Sequence, residues 1–309
     1  MFVPLTCAVI AFNLLEEEQN VNKFIKHLII AGCIFSLIAA YQLFFGGARL
    51  DNDRLRAAAS FSNPNGLAIF LVMIISPALY AIKNNIYSKK TGVLTILIIM
   101  IGILCTGSRK GIITMCLSVV LFFLFNKKFK LLIVSRVLVV FINILFISYT
   151  TLSSRFASNE MKDELEARWG VVSICQEMFF DSPFLGLGYN GFSDNLKKYV
   201  PTATRNMKPH NEYVDHITSY GILGTMPFLM IFFYPLYNSY CVLYKQDKRD
   251  YSNLEKDISI ICSIVVIPFM ISSWFAGGLF SQWPIINLLY SIIACSLAVL
   301  KKSHTINES

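Results

Sequence analysis

Apolar residues run in blocks of about 17–25 with little polar relief, long enough to cross a hydrocarbon core about 30 Å thick. A spanning segment must satisfy its own backbone polar groups, so each block predicts a helix. The blocks fall at about 25–46, 66–82, 92–107, 110–126, 131–150, 214–244, 258–276 and 283–300. A shorter apolar run, 1–15, reads as one more span; it lacks the basic start and small-residue cleavage site of a signal peptide. The fold class is therefore all-α, a polytopic transmembrane bundle of about nine spans. It divides into N-terminal helices (1–150), a large polar loop (151–213), and C-terminal helices with a short tail (214–309).

Within the loop, 158–180 carries Leu165, Trp169, Val172, Cys175 and Phe179 at steps of three and four. That stripe predicts an amphipathic helix lying at the interface, with Trp169 and Phe179 on its apolar side. Pro183 and the glycines Gly186, Gly188 and Gly191 follow, then a basic stretch running to Pro209-His210-Asn211.

Composition agrees: 55% of the 309 residues are hydrophobic and 15% are charged. The net charge of +8 does not imply nucleic acid, because basic residues in such chains set orientation from cytoplasmic loops. Short Lys-dense connections (Lys23 and Lys26; Lys83, Lys89 and Lys90; Lys127, Lys128 and Lys130; Lys245, Lys248 and Lys256; Lys301 and Lys302) form the cytoplasmic set. The 47–65 loop, the Arg109 turn and the large loop then share the extracytoplasmic face. Seven of the nine Arg (49, 54, 56, 109, 155, 168, 205) fall on that face. Topology needs only Lys inside; Arg outside suits the bidentate grip of phosphate or carboxylate, beside the plainer reading of headgroup contacts.

Four motifs carry candidate chemistry. Thr106-Gly107-Ser108-Arg109-Lys110-Gly111 joins two spans by a tight turn and leaves Arg109 at the membrane edge, as an anion site or snorkelling to headgroups. Arg54-Leu55-Arg56 precedes Ser62-Asn63-Pro64-Asn65-Gly66, where Ser62 or Asn65 is expected to cap the next helix, and Arg56 is a weaker anion candidate. Arg168 on the loop helix either binds an anion or pairs with Glu164 one turn earlier. His210 can accept a proton near neutral pH, with Glu212 or Asp215 orienting it, or it can serve as a cap. His210 and His216 do not have the spacing of two zinc ligands on one helix face, so no metal or other cofactor is expected. Gly186-Leu187-Gly188-Tyr189-Asn190-Gly191 has the G-x-G-x-x-G form but no preceding strand, so it reads as a turn and not a nucleotide site. The scattered Cys read as small buried apolar residues. No P-loop occurs, and no Asp or Glu lies mid-span.

Together these motifs resemble the O-antigen ligase and O-antigen polymerase superfamily, membrane glycosyltransferases acting on polyprenyl-diphosphate-linked sugars. The resemblance rests on Gly107 to Gly111, Arg168-Trp169, Ser182 to Phe192, Pro209 to Tyr213 and Tyr220-Gly221-Ile222-Leu223-Gly224, and covers about 60–300. It implies that Arg109 and Arg168 hold the donor diphosphate, with Arg56 a possible helper, and that His210 is catalytic. The expected activity is metal-independent transfer of glycan from polyprenyl diphosphate to a hydroxyl of a glycan, lipid or cell-wall acceptor. It would occur outside the bacterial cytoplasmic membrane and serve cell-surface polysaccharide biosynthesis. Relative to the family the chain looks short by about three spans at its N-terminus, as a truncated, inactive form or a compact relative would. Polymerase in place of ligase remains open, as does a lipid-linked-glycan flippase without bond formation or a non-catalytic assembly subunit.

Overall fold

The computed structural model describes residues 2–51, 54–126, 160–201, 209, 211–245, 251–274, 279 and 282–308. They contain ten helices and one small hairpin. The helices are α1 Phe2–Leu14, α2 Glu18–Phe45, α3 Pro64–Lys83, α4 Lys89–Cys105, α5 Arg109–Phe125, α6 Glu160–Asp181, α7 Gly191–Tyr199, α8 Glu212–Tyr244, α9 Asn253–Trp274 and α10 Trp283–Glu308. Five are long and apolar enough to span a membrane: α2, α3, α8, α9, and α10 over Trp283–Lys301. The α1 helix has 13 residues and so falls short of a bilayer, while α4 and α5, of 17 each, stand at the lower limit. The expected span at 131–150 lies outside the described residues.

The chain divides into two compact units. Unit 1 is Met1–Lys130, Tyr234–Ser272 and Phe280–Ser309; unit 2 is Leu131–Phe233 and Ser273–Leu279.

In unit 1, α3 is the central helix, with nearly every residue from Pro64 to Ala81 buried. Its sequence explains this, since it is apolar all round, as a helix enclosed by others must be. Asn63 caps it, accepting from the Gly66 amide at 2.8 Å, with Pro64 in the first turn. The expected cap at Ser62 or Asn65 is thereby corrected: proline lacks an amide and suits the first helical position, so the residue before it takes the cap. Glycine permits close helix approaches on two neighbours. A Cβ on Gly111 of α5 would lie 2.6 Å from Ala68 Cβ, and one on Gly102 of α4 would lie 2.5 Å from Ser36 Cβ of α2.

Two further features depart from the sequence expectation. The 47–65 loop contains an antiparallel hairpin, β1 Arg49–Asp51 with β2 Arg54–Arg56, in the register Arg49↔Arg56. At the opposite end of α3, Lys83 is not a solvated loop charge. Its ammonium sits 2.5 Å from the Asp257 carboxylate of α9 and 2.7 Å from Asn126 Oδ1, at the end of α5. Asn84 donates to the same carboxylate at 3.0 Å. Asp257 is buried, and a buried carboxylate persists where several donors surround it.

In unit 2, α6 packs on α7 through Val171, Cys175 and Met178 against Phe192 and Leu196. The buried face of α6 is thus 171/175/178, one position away from the expected 172/175/179, because α7 covers that side. Tyr199 donates to the Asp181 carboxylate and Lys198 lies 3.6 Å from it, tying the ends of α6 and α7 together.

Candidate functional site

The hairpin stands over the ends of α2, α3 and α4, and the local hydrogen bonds explain how. Gln42, near the end of α2, receives the amides of Ala58 and Ala59 at 3.2 and 2.8 Å and returns a bond to the Ala59 carbonyl at 3.1 Å. The Ala57 amide donates to the Cys105 carbonyl, the last of α4, at 3.0 Å. Phe61 wedges between Phe35 of α2 and Phe70 of α3, with ring centroids 5.5 and 5.2 Å away. Apolar anchoring therefore fixes a basic segment in place.

Arg56 is the product of that placement. It is half-buried, and its guanidinium donates to the Thr106 carbonyl at 3.0 Å and to Asn65 Oδ1 at 2.8 Å. Gly107 adopts φ +60°, a turn conformation that favours glycine, beside the Arg56 side chain. The turn is locked by Thr106, which donates to the Ile103 carbonyl and accepts from the Ser108 amide. Ser108 then caps α5, accepting from the Gly111 amide at 3.2 Å. Arg109 follows as the first residue of α5 and is exposed.

Sequence reasoning placed Arg56 and Arg109 on different loops, and the structure brings both to the 106–108 turn. Cations there adjoin the starts of α3 and α5, whose helix dipoles also favour an anion. Asn65 was read as structural, yet it orients Arg56; nothing in its local sequence distinguishes it from a turn residue. Gln282 is a second group missed. It precedes α10, lies directly against Gly66, and is buried, with neither amide atom hydrogen-bonded among the described residues. A bound polar group or water would satisfy it.

The remaining candidates belong to unit 2. Arg168 lies on α6, whose side-chain description begins at Gly170, and His210 lies outside the described residues; both neighbours of His210 are described. Pro209 is buried, and Asn211 caps α8 by accepting from the amides of Tyr213 and Val214 at 3.0 and 3.2 Å. Glu212 is buried and accepts from the Leu279 amide, so part of its bonding capacity is spent on the 273–279 segment. The Tyr213 ring packs against that of Trp274, tilted by 45° with centroids 5.7 Å apart. The start of α8 is thus anchored at adjacent residues.

The α8 helix is broken at Gly221, where φ is +61° and ψ −166°. The His216 and Phe228 rings stack with centroids 3.9 Å apart. A straight helix would separate those residues by about 18 Å, so the chain turns back at Gly221. The limb 222–244 then has the length of a span, and 212–220 is a separate short limb.

The break frees backbone groups, and the 183–188 loop takes them up. Ile222 and Leu223 would ordinarily donate to Thr218 and Ser219; they donate instead to the Pro183 and Phe184 carbonyls at 2.9 and 3.1 Å. The Thr218 and Ser219 carbonyls accept in turn from Leu187 and Gly188 at 3.0 and 2.8 Å. Gly186 and Gly221 make this approach possible: a Cβ on Gly221 would lie 2.4 Å from the Phe184 carbonyl carbon, and one on Gly186 would lie 2.4 Å from that of Ser219. The expected turn at 186–191 is present, with positive φ at Gly186 and Gly188, and its function is to complete a broken helix. Among the described residues no cluster of His, Cys, Asp and Glu is arranged to hold a metal.

Residues 94–229 match the family model described as O-antigen ligase. No curated protein matches the chain. The matched stretch runs from α4, through the Arg109 turn, to the second limb of α8.

Proposed function

We propose, from the membership of the O-antigen ligase and polymerase superfamily that this match supports, that the chain moves a glycan from a polyprenyl diphosphate to an acceptor hydroxyl. The reaction takes place at the extracytoplasmic mouth of the membrane. One observation carries the reading at the level of residues: Arg56 and Arg109 both lie at the turn from which the capped helix α5 starts, a setting suited to diphosphate oxygens.

In the proposed reaction the acceptor oxygen attacks the anomeric carbon as the bond from that carbon to the diphosphate oxygen breaks. The acceptor proton passes to His210, and the leaving polyprenyl diphosphate carries away the electron pair. Inversion at the anomeric carbon is expected. Arg109 and Arg168, assisted by Arg56, stabilise the charge developing on the leaving group. Fixed guanidinium groups can do this without a resident cation. The glycosyl–diphosphate bond that breaks supplies the driving force, consistent with the absence of a P-loop from the sequence. The anchoring of Asn211, Glu212 and Tyr213 supports a general base at 210, since a base must be held within hydrogen-bond reach of its proton. The roles divide as helices 1–150, an extracytoplasmic loop 151–213 that carries Arg168 and His210, and helices 214–309. The motifs around His210 favour a ligase over a polymerase.

Purified protein reconstituted with a polyprenyl-diphosphate glycan and candidate acceptors tests this. A new glycosidic bond, detected by mass, is the expected product, and His210→Ala should lower kcat by about 10²–10⁴. Transbilayer movement of the donor with no bond formed would overturn the enzyme reading in favour of a flippase. Turnover in His210→Ala equal to wild type would remove His210 from the mechanism.

A further inference from the structure

The loop that completes the broken helix also carries some of the most exposed apolar side chains among the described residues of unit 2. Phe184 is 64% exposed, Leu185 73% and Tyr189 78%, with Phe180 close by in sequence and likewise exposed. No residue from Ser182 to Gly191 is charged. An apolar tip of this size on an aqueous surface would be costly, and such patches mark interaction surfaces.

Two observations say what covers it. The first is continuity. The second limb of α8 exposes Leu223, Met226, Met230 and Phe233, spaced by three and four residues, which is the lipid-facing stripe of a spanning helix. Leu223 opens that stripe, and its amide is bonded to the Phe184 carbonyl, so the loop tip caps the same stripe. The second is backbone accounting. Irregular backbone enters hydrocarbon only when its polar groups are paired within the protein. The carbonyls of Pro183 and Phe184 are taken by Ile222 and Leu223, and the amides of Leu187 and Gly188 by Thr218 and Ser219. Gly186 donates to the Ser182 carbonyl at 3.0 Å and accepts from Ser182 Oγ at 2.9 Å, while Pro183 has no amide. These backbone groups of the loop are thus already satisfied within the protein, as entry into hydrocarbon would require.

We infer that the 183–189 tip is a membrane-inserted foot: Phe184 and Leu185 enter the acyl region of one leaflet and Tyr189 rests at the headgroup level. The partner is bilayer lipid. The foot fixes the depth at which the break in α8 sits, and with it the depth of the short limb 212–220. Aromatic residues at such a boundary behave as depth anchors because their rings are apolar and their hydroxyls wet.

The test is depth-resolved quenching of the full chain in phosphatidylcholine vesicles. Leu185→Trp adds one indole at the tip; Gln176→Trp, on the exposed side of α6, is the comparison. The fluorescence added by Leu185→Trp should be quenched severalfold more by acyl-brominated lipid than by aqueous iodide, and that added by Gln176→Trp should show the reverse. Should the larger ring disturb the loop, Leu185→Cys with a water-soluble maleimide gives a second readout. Its labelling should be severalfold slower than that of Gln176→Cys in vesicles, and should accelerate once the bilayer is dissolved. Iodide quenching or maleimide labelling of position 185 equal to that of position 176 would overturn the inference. So would protection of position 185 that persists in dilute detergent micelles and is lost only when protomers dissociate, since a second copy would then be the cover.

Discussion

Replacing Gly221 by Ala probes the join between the 183–188 loop and α8 directly. At φ +61° and ψ −166° the backbone occupies a region open essentially only to glycine, at a cost of about 1–3 kcal/mol for any other residue. The new Cβ would also stand 2.4 Å from both the carbonyl carbon and oxygen of Phe184. These are backbone atoms with hydrogen-bond partners of their own, so relief requires moving the loop, at about 1–3 kcal/mol more. The sum is about 2–6 kcal/mol, which corresponds to a fall of roughly 3–9 °C in Tm for a chain of this size. Thermal unfolding in a fixed detergent, followed by far-UV circular dichroism, measures it. Gly170→Ala is the comparison: nothing lies within 4 Å of its Cβ, and alanine is the better helix former, so Tm should hold or rise slightly. Gly186→Ala should resemble Gly221→Ala, and the double variant should lose much less than the sum, because either methyl alone undocks the same loop. A Gly221→Ala protein that melts within about 1 °C of wild type would refute the interlock.

Other expectations follow from the same structure. Asp257→Ala should destabilise unit 1 by about 2–4 kcal/mol by stranding the Lys83 ammonium, and adding Lys83→Met should restore part of the loss in the same melting assay. Arg56→Lys keeps the charge but cannot reach both Thr106 and Asn65, so it should lower donor turnover about as much as Arg56→Ala. A lysine variant with wild-type kcat/KM would mean that charge alone matters there. Burial pushes the Cys175 thiol up to about 12 from 9.0, so the folded state favours the protonated form. Its contribution to stability is whole below about pH 9 and is lost as pH rises from 9 towards 12. Maleimide at pH 8 should accordingly leave Cys175 unlabelled until the protein unfolds, as peptide mass mapping would record.

Periodicity revealed those parts of the fold that obey a local rule. α3, α9 and α10 announce themselves by length and apolarity, and 158–180 by its stripe. The hairpin at 49–56 escaped because two three-residue strands have no period to detect, and Gln42, Phe35 and Phe70, which hold their loop, lie on other elements. Likewise Gly186 and Gly221 each read as a turn or a break; that one fills the other depends on contacts across more than thirty residues. Lys83 was legible as a positive charge near a span end, but its partner lies 174 residues away. For the site, the sequence could nominate Arg56 and Arg109 by residue type. The role of Asn65 in orienting Arg56 needed coordinates.

The distance along the chain between Lys83 and Asp257 also has a temporal side. At synthesis rates of about 5–20 residues per second, those 174 residues take roughly 9–35 s to be made. Throughout that interval the lysine lacks the Asp257 carboxylate that it meets in the folded protein, and an ammonium without that partner favours the water boundary. The arrival of α9 then turns the same ammonium into a rivet between helices made far apart in time.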